Sequence, residues 1–179
     1  MSGMRRREAM SKSRDLVASR NGVSVYSDGH GKVYFTKDHP ESVVVLAKQE
    51  DEFLLIQQQR NPVNDLVIQL PGGGVHQGED LEAAARRELL EETGYECGRL
   101  HYFGRMYPAS WRCNEVAYVY YTEEILVRGE AMPEDYERIE VIRIPVQECL
   151  HRIKHNEIQD SELVFVVLQC LLRGMIRLY

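Results

Sequence analysis

At 179 residues the chain is long enough for one domain with a full hydrophobic core, and its length gives no reason to expect a second. Its composition, 44% hydrophobic and 28% charged, is that of an ordinary globular protein, and a formal net charge of -6 argues against a general nucleic-acid binder. Cys97, Cys113, Cys149 and Cys170 form no close pairs, which excludes a zinc knuckle and a redox CxxC and makes a reduced, cytoplasmic setting the simplest fit.

Residues 1–20 are polar and basic without periodicity and are expected to be a flexible terminus, with Arg5, Arg6 and Arg7 solvated. No apolar stretch follows those arginines, and the greasiest run, 163–172, is too short to span a bilayer, so neither a signal peptide nor a membrane segment is expected. Residues 23–26 and 32–36, around the turn 28–31, read as a β-hairpin. Residues 42–48 and 53–58 read as strands joined by an acidic turn. The first contains Val43, Val44, Val45 and Leu46 without alternation, so it is expected to be covered on both faces. A short strand, 67–70, then feeds the glycine-rich loop 71–74.

Over 80–93 the spacing predicts a helix. Stepping about 100° per residue puts Glu88, Glu91 and Glu92 in one wedge, on the face that carries Leu81, Ala84 and Ala85. Glu88 and Glu92 repel at i,i+4, and all three acids lie near the negative end of the helix dipole, each term costing up to roughly 1 kcal/mol. A hard divalent cation reverses that sign, because clustered carboxylate oxygens suit Mg2+ or Mn2+. Ahead of the helix, Gly72, Gly73 and Gly74 let bare backbone pass close to whatever the acids hold, and the Gly72 carbonyl is a candidate further ligand. Arg87 is placed to orient a carboxylate or Glu79, and Gly94 to end the helix in the left-handed conformation.

Downstream, 100–106 and 115–122 read as strands around a loop, 107–114. A polar connection, 123–138, leads to a strand at 139–144, and 146–154 and 161–172 carry helical spacing. Leu163, Val166, Val167 and Cys170 form an apolar stripe that packs the last helix on the core. Tyr107, Trp111 and Arg112 share the loop; Trp111 either stacks a nucleobase or packs in a core or interface. The histidines form no motif, and His76, inside the box spacer, either reaches a phosphate or is a solvent-facing turn residue, the second being favoured.

Gly73, five residues, Glu79, seven residues, Arg87-Glu88-Leu89, one residue, Glu91-Glu92, one residue and Gly94-Tyr95 reproduce the Nudix box at every fixed position. The chain therefore resembles the Nudix family, hydrolases of a nucleoside diphosphate linked to another moiety. The resemblance implies an α/β/α sandwich with a mixed sheet across 21–179. The hairpin 21–37 is similar to the N-terminal sheet of the ADP-ribose and nucleotide-sugar pyrophosphatase branch, which commonly helps build a homodimer. Gln59-Arg60-Asn61-Pro62 looks like that branch's glutamine-aromatic-arginine-x-proline segment, with Gln59 in place of the aromatic. Arg60 then either clamps a diphosphate or stacks on a base, or sits in an ordinary surface ion pair. In the branch, substrate-reading residues sit where Trp111 and Arg112 stand, and an acid often occupies the place of Glu115. Ser110 stands where ADP-ribose pyrophosphatases usually carry proline, and Gln69 where they favour glutamate; both put ADP-ribose itself in doubt but not the wider nucleotide-sugar class.

The expectation is a Mg2+- or Mn2+-dependent enzyme that splits ADP-ribose or a nucleotide sugar into a nucleoside monophosphate and a sugar phosphate. Glu88 and Glu92, helped by Glu91 and Gly72, hold the metal, and Arg87 supports them. With those acids committed, the proton goes to Glu91 or to an acid outside the box. Glu137 leads that second group, with Glu134, Asp135 and Glu140 as substitutes. The expected partners are the small nucleoside diphosphate substrate and a second copy of the chain, with no nucleic acid and no membrane. One competing class clears oxidised nucleoside triphosphates or dinucleoside polyphosphates; the N-terminal hairpin argues against it. Another is a catalytically silent ligand-binding module, and the intact Arg87, Glu88, Glu91 and Glu92 argue against that.

Overall fold

In the computed structural model, residues 14–128 and 139–178 are described. The chain opens with three antiparallel strands, β1 (Arg14–Arg20), β2 (Val23–Asp28) and β3 (Val33–Lys37), in the order β1-β2-β3. Residues 14–20 thus form a strand, against the expectation of an unstructured terminus through residue 20. Asn21 and Gly22, at φ 49° and 74°, make the two-residue turn whose twist suits paired strands. Every residue of β1 is exposed, so no inward alternation marks it in the sequence.

There follow β4 (Glu41–Gln49), β5 (Glu52–Arg60), β6 (Asp65–Gln69), β7 (Gly72–Gly74) and α1 (Leu81–Thr93). Next come β8 (Tyr95–Cys97), β9 (His101–Met106), β10 (Val116–Thr122), β11 (Ile125–Arg128), β12 (Ile139–Pro145), α2 (Val146–Lys154) and α3 (Ser161–Leu172). The main sheet runs β12-β5-β4-β10-β9, with β6 paired to β5 and β7 to β4. It is mixed because β4 and β10 are parallel while the other pairs are antiparallel. Outside it, β8 pairs β11, so the connection expected at 123–138 begins with a short strand. No described helix is long and apolar enough to cross a membrane.

β4 explains the layering. Val43, Val45 and Ala47 pack with Leu54 and with Ala84, Ala85 and Leu89 of α1. Val44 and Leu46 pack on the other side with Cys149 and Leu150 of α2 and Leu163, Val166 and Val167 of α3. An apolar run without alternation is what a strand buried on both faces requires, and the result is the expected α/β/α sandwich.

The functional part of the sheet is where it splits. β4 and β5 pair only from Ala47↔Leu54 to Gln49↔Glu52 and then part. β6 takes the freed edge of β5, from Ile56↔Gln69 to Arg60↔Asp65, and β7 takes that of β4, from Ser42↔Gly74 to Val44↔Gly72. Pro71 lies between them, its carbonyl accepting from Val45 N–H at 2.9 Å. The glycine segment expected as a loop is therefore a strand, and at Gly72 and Gly73 it runs too close to its neighbours for a side chain. A Cβ on Gly72 would lie 2.2 Å from the Val43 carbonyl oxygen, and one on Gly73 2.6 Å from the Glu88 carboxylate. Gly72→Ala should cost about 1–3 kcal/mol through overpacking against backbone. Urea unfolding measures this, and an unchanged midpoint would contradict the close pairing of β7.

Candidate metal and diphosphate site

Helix α1 begins where Asp80 caps it, its Oδ1 accepting from the N–H groups of Glu82 (2.9 Å) and Ala83 (3.2 Å). Gly94, at φ 73°, ends it and donates to the Leu90 carbonyl at 2.7 Å. Between the caps the buried face carries Ala84, Ala85, Leu89 and Glu92. Glu92 is only 5% exposed, and its Oε2 accepts from Gly72 N–H at 2.7 Å, which ties the helix to the split in the sheet.

Arg87 organises the remaining acids. Its Nε and Nη2 donate to the two oxygens of Glu79 at 2.9 and 3.0 Å, a bidentate pair. Nη1 donates to Glu88 at 2.7 Å and to Glu91 at 3.0 Å, and Nη2 also reaches the Gly74 carbonyl at 3.0 Å. The repulsion expected among the acids is thus met by one guanidinium. Arg87 holds the Glu79 carboxyl down to about 2, and Glu79 in turn raises Arg87 well above its ordinary value. His76 is the solvent-facing turn residue expected, its backbone N–H donating to Glu79 at 2.9 Å.

By donor chemistry Glu88, Glu91 and Glu92 fit a hard divalent cation, being carboxylates on one helix face beside the Gly72 backbone. Among the described residues, however, no three such side chains already stand as a ligand set. Arg87 draws Glu88 and Glu91 to itself, while Gly72 N–H holds Glu92. A cation on these acids would compete with Arg87 for the Glu88 and Glu91 oxygens that it holds. The side chain of Glu91 is 40% exposed and that of Glu88 13%. Glu134, Asp135 and Glu137 lie outside the described residues, and Glu140 is exposed on β12 opposite Gln57.

The proposed substrate-side residues fall into two groups. Arg60 and Glu115 each have contacts of their own, and both influence Glu162 of α3 electrostatically. Arg60 Nε donates to Gln69 Oε1 at 2.5 Å, Gln69 Nε2 donates to Asp160 Oδ2 at 2.8 Å, and Glu115 pairs with Lys37 at 3.1 Å. Arg60 also lines a hollow of about 850 Å3 between the β5–β6 turn and the α2–α3 loop, whose lining includes none of the α1 acids. Trp111 and Arg112 stand apart, the guanidinium 5.7 Å from the ring centroid, with Trp111 77% exposed. That exposure removes the core-packing alternative for Trp111. Their loop is fastened to the N-terminal sheet: Phe35 N–H donates to the Arg112 carbonyl (2.9 Å), and Lys37 and Asn114 exchange hydrogen bonds (2.8 and 3.0 Å). Sequence reading passed over Lys37, Asp160 and Glu162, which no local spacing connects to Arg60. The cysteines take no part: all four are free, and burial pushes the Cys149 and Cys170 thiols up to about 12.

A split mixed sheet, backed by a carboxylate-bearing helix tied to glycine backbone through Glu92, defines an α/β/α protein whose donor groups suit a hard cation. Comparison with known proteins makes this specific. The NUDIX domain model matches residues 37–164, and the chain belongs to that family, whose hydrolases are generally dependent on divalent metal. The "Methanol dehydrogenase activator" of Bacillus methanolicus is 31% identical over 132 residues, 72% of this chain and 71% of that protein. The "ADP-ribose pyrophosphatase" of Bacillus subtilis (strain 168) is 29% identical over 131 residues, with the same shares, 72% and 71%. A "GDP-mannose pyrophosphatase" of Citrobacter koseri is 27% identical over 159 residues, 87% of this chain and 80% of that protein. Among solved structures an "ADP compounds hydrolase" superposes with a TM-score of 0.74 at 18% identity, covering 93% of this chain and 95% of that one, a likeness of fold.

The Glu79–Arg87 pair generates a stability prediction. Because the folded-state value of Glu79 lies below its unfolded one, its contribution is full above about pH 4.5 and is lost as pH falls toward 2. Glu79→Gln should lower stability by about 1–2 kcal/mol at pH 7. The deficit should shrink across that acid window. Chemical denaturation at several pH values measures it, and a deficit independent of pH would contradict the pairing.

Proposed function

We propose that the chain hydrolyses the pyrophosphate bond of a nucleoside diphosphate linked to a sugar, of the ADP-ribose or GDP-mannose kind, releasing a nucleoside monophosphate and a sugar phosphate. The observation that carries this is the joint placement of Glu88, Glu91 and Glu92 around Arg87 and the Gly72 backbone. Relatives named as pyrophosphatases for those two substrates support it.

Glu88, Glu91 and Glu92, with the Gly72 carbonyl, would hold Mg2+ or Mn2+, which when bound neutralises the diphosphate and makes water a better nucleophile at neutral pH. The Arg87 fork on Glu79 would keep the helix and the glycine strand aligned if Nη1 gave up Glu88 and Glu91 to a cation. Glu91, the more open of the two acids on Nη1, is one candidate to take the proton from water, and Glu137 is the other. Arg60 anchors the diphosphate. Trp111 offers its open face to a base, worth roughly 1–3 kcal/mol, with Arg112 beside it and Glu115 holding Lys37 at the edge of the site. Free cysteines accord with a reduced, cytoplasmic setting.

A homodimer through the N-terminal sheet belongs to the same reading, since Leu16 (59%), Val17 (61%) and Val33 (57%) are exposed there. Light scattering should give twice the 20.7 kDa chain mass, and the chain mass itself would count against pairing.

Turnover with Mg2+ across ADP-ribose, ADP-glucose, GDP-mannose, UDP-glucose and diadenosine polyphosphates should favour the nucleotide sugars. Glu92→Gln should lose activity by roughly a hundredfold or more while staying folded. Full turnover by that variant, or by the wild type in excess EDTA, would reject the metal assignment. Glu91→Gln and Glu137→Gln, compared at saturating substrate, separate the two candidates for the base by which one loses kcat.

A further inference from the structure

Asp160, Gln69 and Arg60 form a chain of hydrogen bonds that starts at helix α3 and ends on β5. Asp160 caps α3, its Oδ1 accepting from Leu163 N–H at 2.9 Å. Its Oδ2 accepts from Gln69 Nε2 at 2.8 Å, and Gln69 Oε1 accepts from Arg60 Nε at 2.5 Å. The direction of the chain is fixed at its helix end. An ionised carboxylate only accepts, so Gln69 turns its nitrogen to Asp160 and keeps its oxygen for Arg60.

Register shows what this achieves. Gln69 stands opposite Ile56, whereas Arg60 is four residues farther out on β5, opposite Asp65. A strand advances about 3.4 Å per residue, so Arg60 meets Gln69 only by lying back along β6. The three residues together line the hollow of about 850 Å3. Among the described residues Arg60 makes no other hydrogen bond and no ion pair, so both of its Nη groups are left for a ligand. A carboxylate at position 69 would pair with the guanidinium and repel Asp160. The amide orients the guanidinium and leaves its charge in place. Gln69 is also three residues from Gly72, at most ~11 Å of extended chain, which a diphosphate with its sugar can span.

We propose that Gln69 and Asp160 are positioning residues for Arg60, through which the start of α3 holds the guanidinium along the hollow with its Nη fork offered to the substrate anion. The proposal rests on Arg60 as the diphosphate anchor. Neither residue touches the anion; both act through the order of donors and acceptors. Asp160→Asn keeps an oxygen for Leu163 N–H but turns an NH2 group on Gln69. Whichever way the Gln69 amide then lies, a donor faces a donor, either at position 160 or at Arg60 Nε.

The probe is α,β-methylene ADP-ribose with Mg2+, its binding followed by calorimetry so that catalysis does not enter. Gln69→Met keeps the length of the side chain without the amide and should weaken binding about tenfold. Placed on Arg60→Ala, the same change should have no effect, because residue 69 acts only through Arg60. Asp160→Asn should weaken binding about fivefold, although it removes a negative charge from the hollow and Coulomb's law alone would then tighten an anion. Gln69→Met leaves the α3 cap intact, so it tests the chain of bonds even where Asp160→Asn fails to fold. Unchanged affinity in Gln69→Met, an equal loss with and without Arg60, or tighter binding in Asp160→Asn overturns the positioning role and leaves Arg60 as the anchor. No loss of affinity in Arg60→Ala, or no binding by the wild type, overturns the anchor and the inference together.

Discussion

Arg87 sets one guanidinium among Glu79, Glu88, Glu91 and the Gly74 carbonyl, and through it a helix carries several acids on one face before anything is bound. The arrangement is asymmetric. The bidentate contact to Glu79 ties the helix to the segment before it, whereas Glu88 and Glu91 share a single nitrogen and are the contacts that can be given up. On the proposed reading, the carboxylates that balance Arg87 would also be the ones that supply ligands to a cation.

The sheet supplies the second half of the site. Because β4 and β5 separate after a short pairing, β6 and β7 can enter the gap, and the chain between them brings Gly72 N–H to Glu92. The same split leaves Gln69 at the inner end of the β5–β6 ladder, opposite Ile56, where Arg60 reaches it from the far end and Asp160 of α3 accepts from it. One topological feature therefore serves two chemical environments, an acidic one on α1 and a mixed-charge one at the start of α3.

What the sequence disclosed follows from the range of the forces involved. Asp80 and Gly94 mark the ends of α1 by local hydrogen bonding and φ, and both ends lie where the sequence places them. The unbroken apolar run of β4 announced burial on both faces. β1 was missed although Asn21-Gly22 signals a tight hairpin, because its strand residues are all exposed and show no alternation. β7 was missed because glycines carry no side-chain pattern at all; their signal is the space they leave. The site divides the same way. The box residues lie close together in the chain, so their periodicity shows one helical face. Arg60, Gln69 and Asp160 meet only through tertiary structure, and no local spacing announces the amide that holds Arg60 Nε.

On the proposed reading, a divalent cation takes Glu88 and Glu91 from Arg87 while leaving Glu79 in place. Side-chain 15N NMR of Arg87 during a Mg2+ titration tests it most directly, with Arg87→Lys to assign the signals. Mg2+ should shift the Nη resonances and leave Nε–H protected, and Glu92→Gln should suppress the shift. Nη resonances unmoved at saturating Mg2+, or an Nε–H that loses its protection together with them, would contradict it.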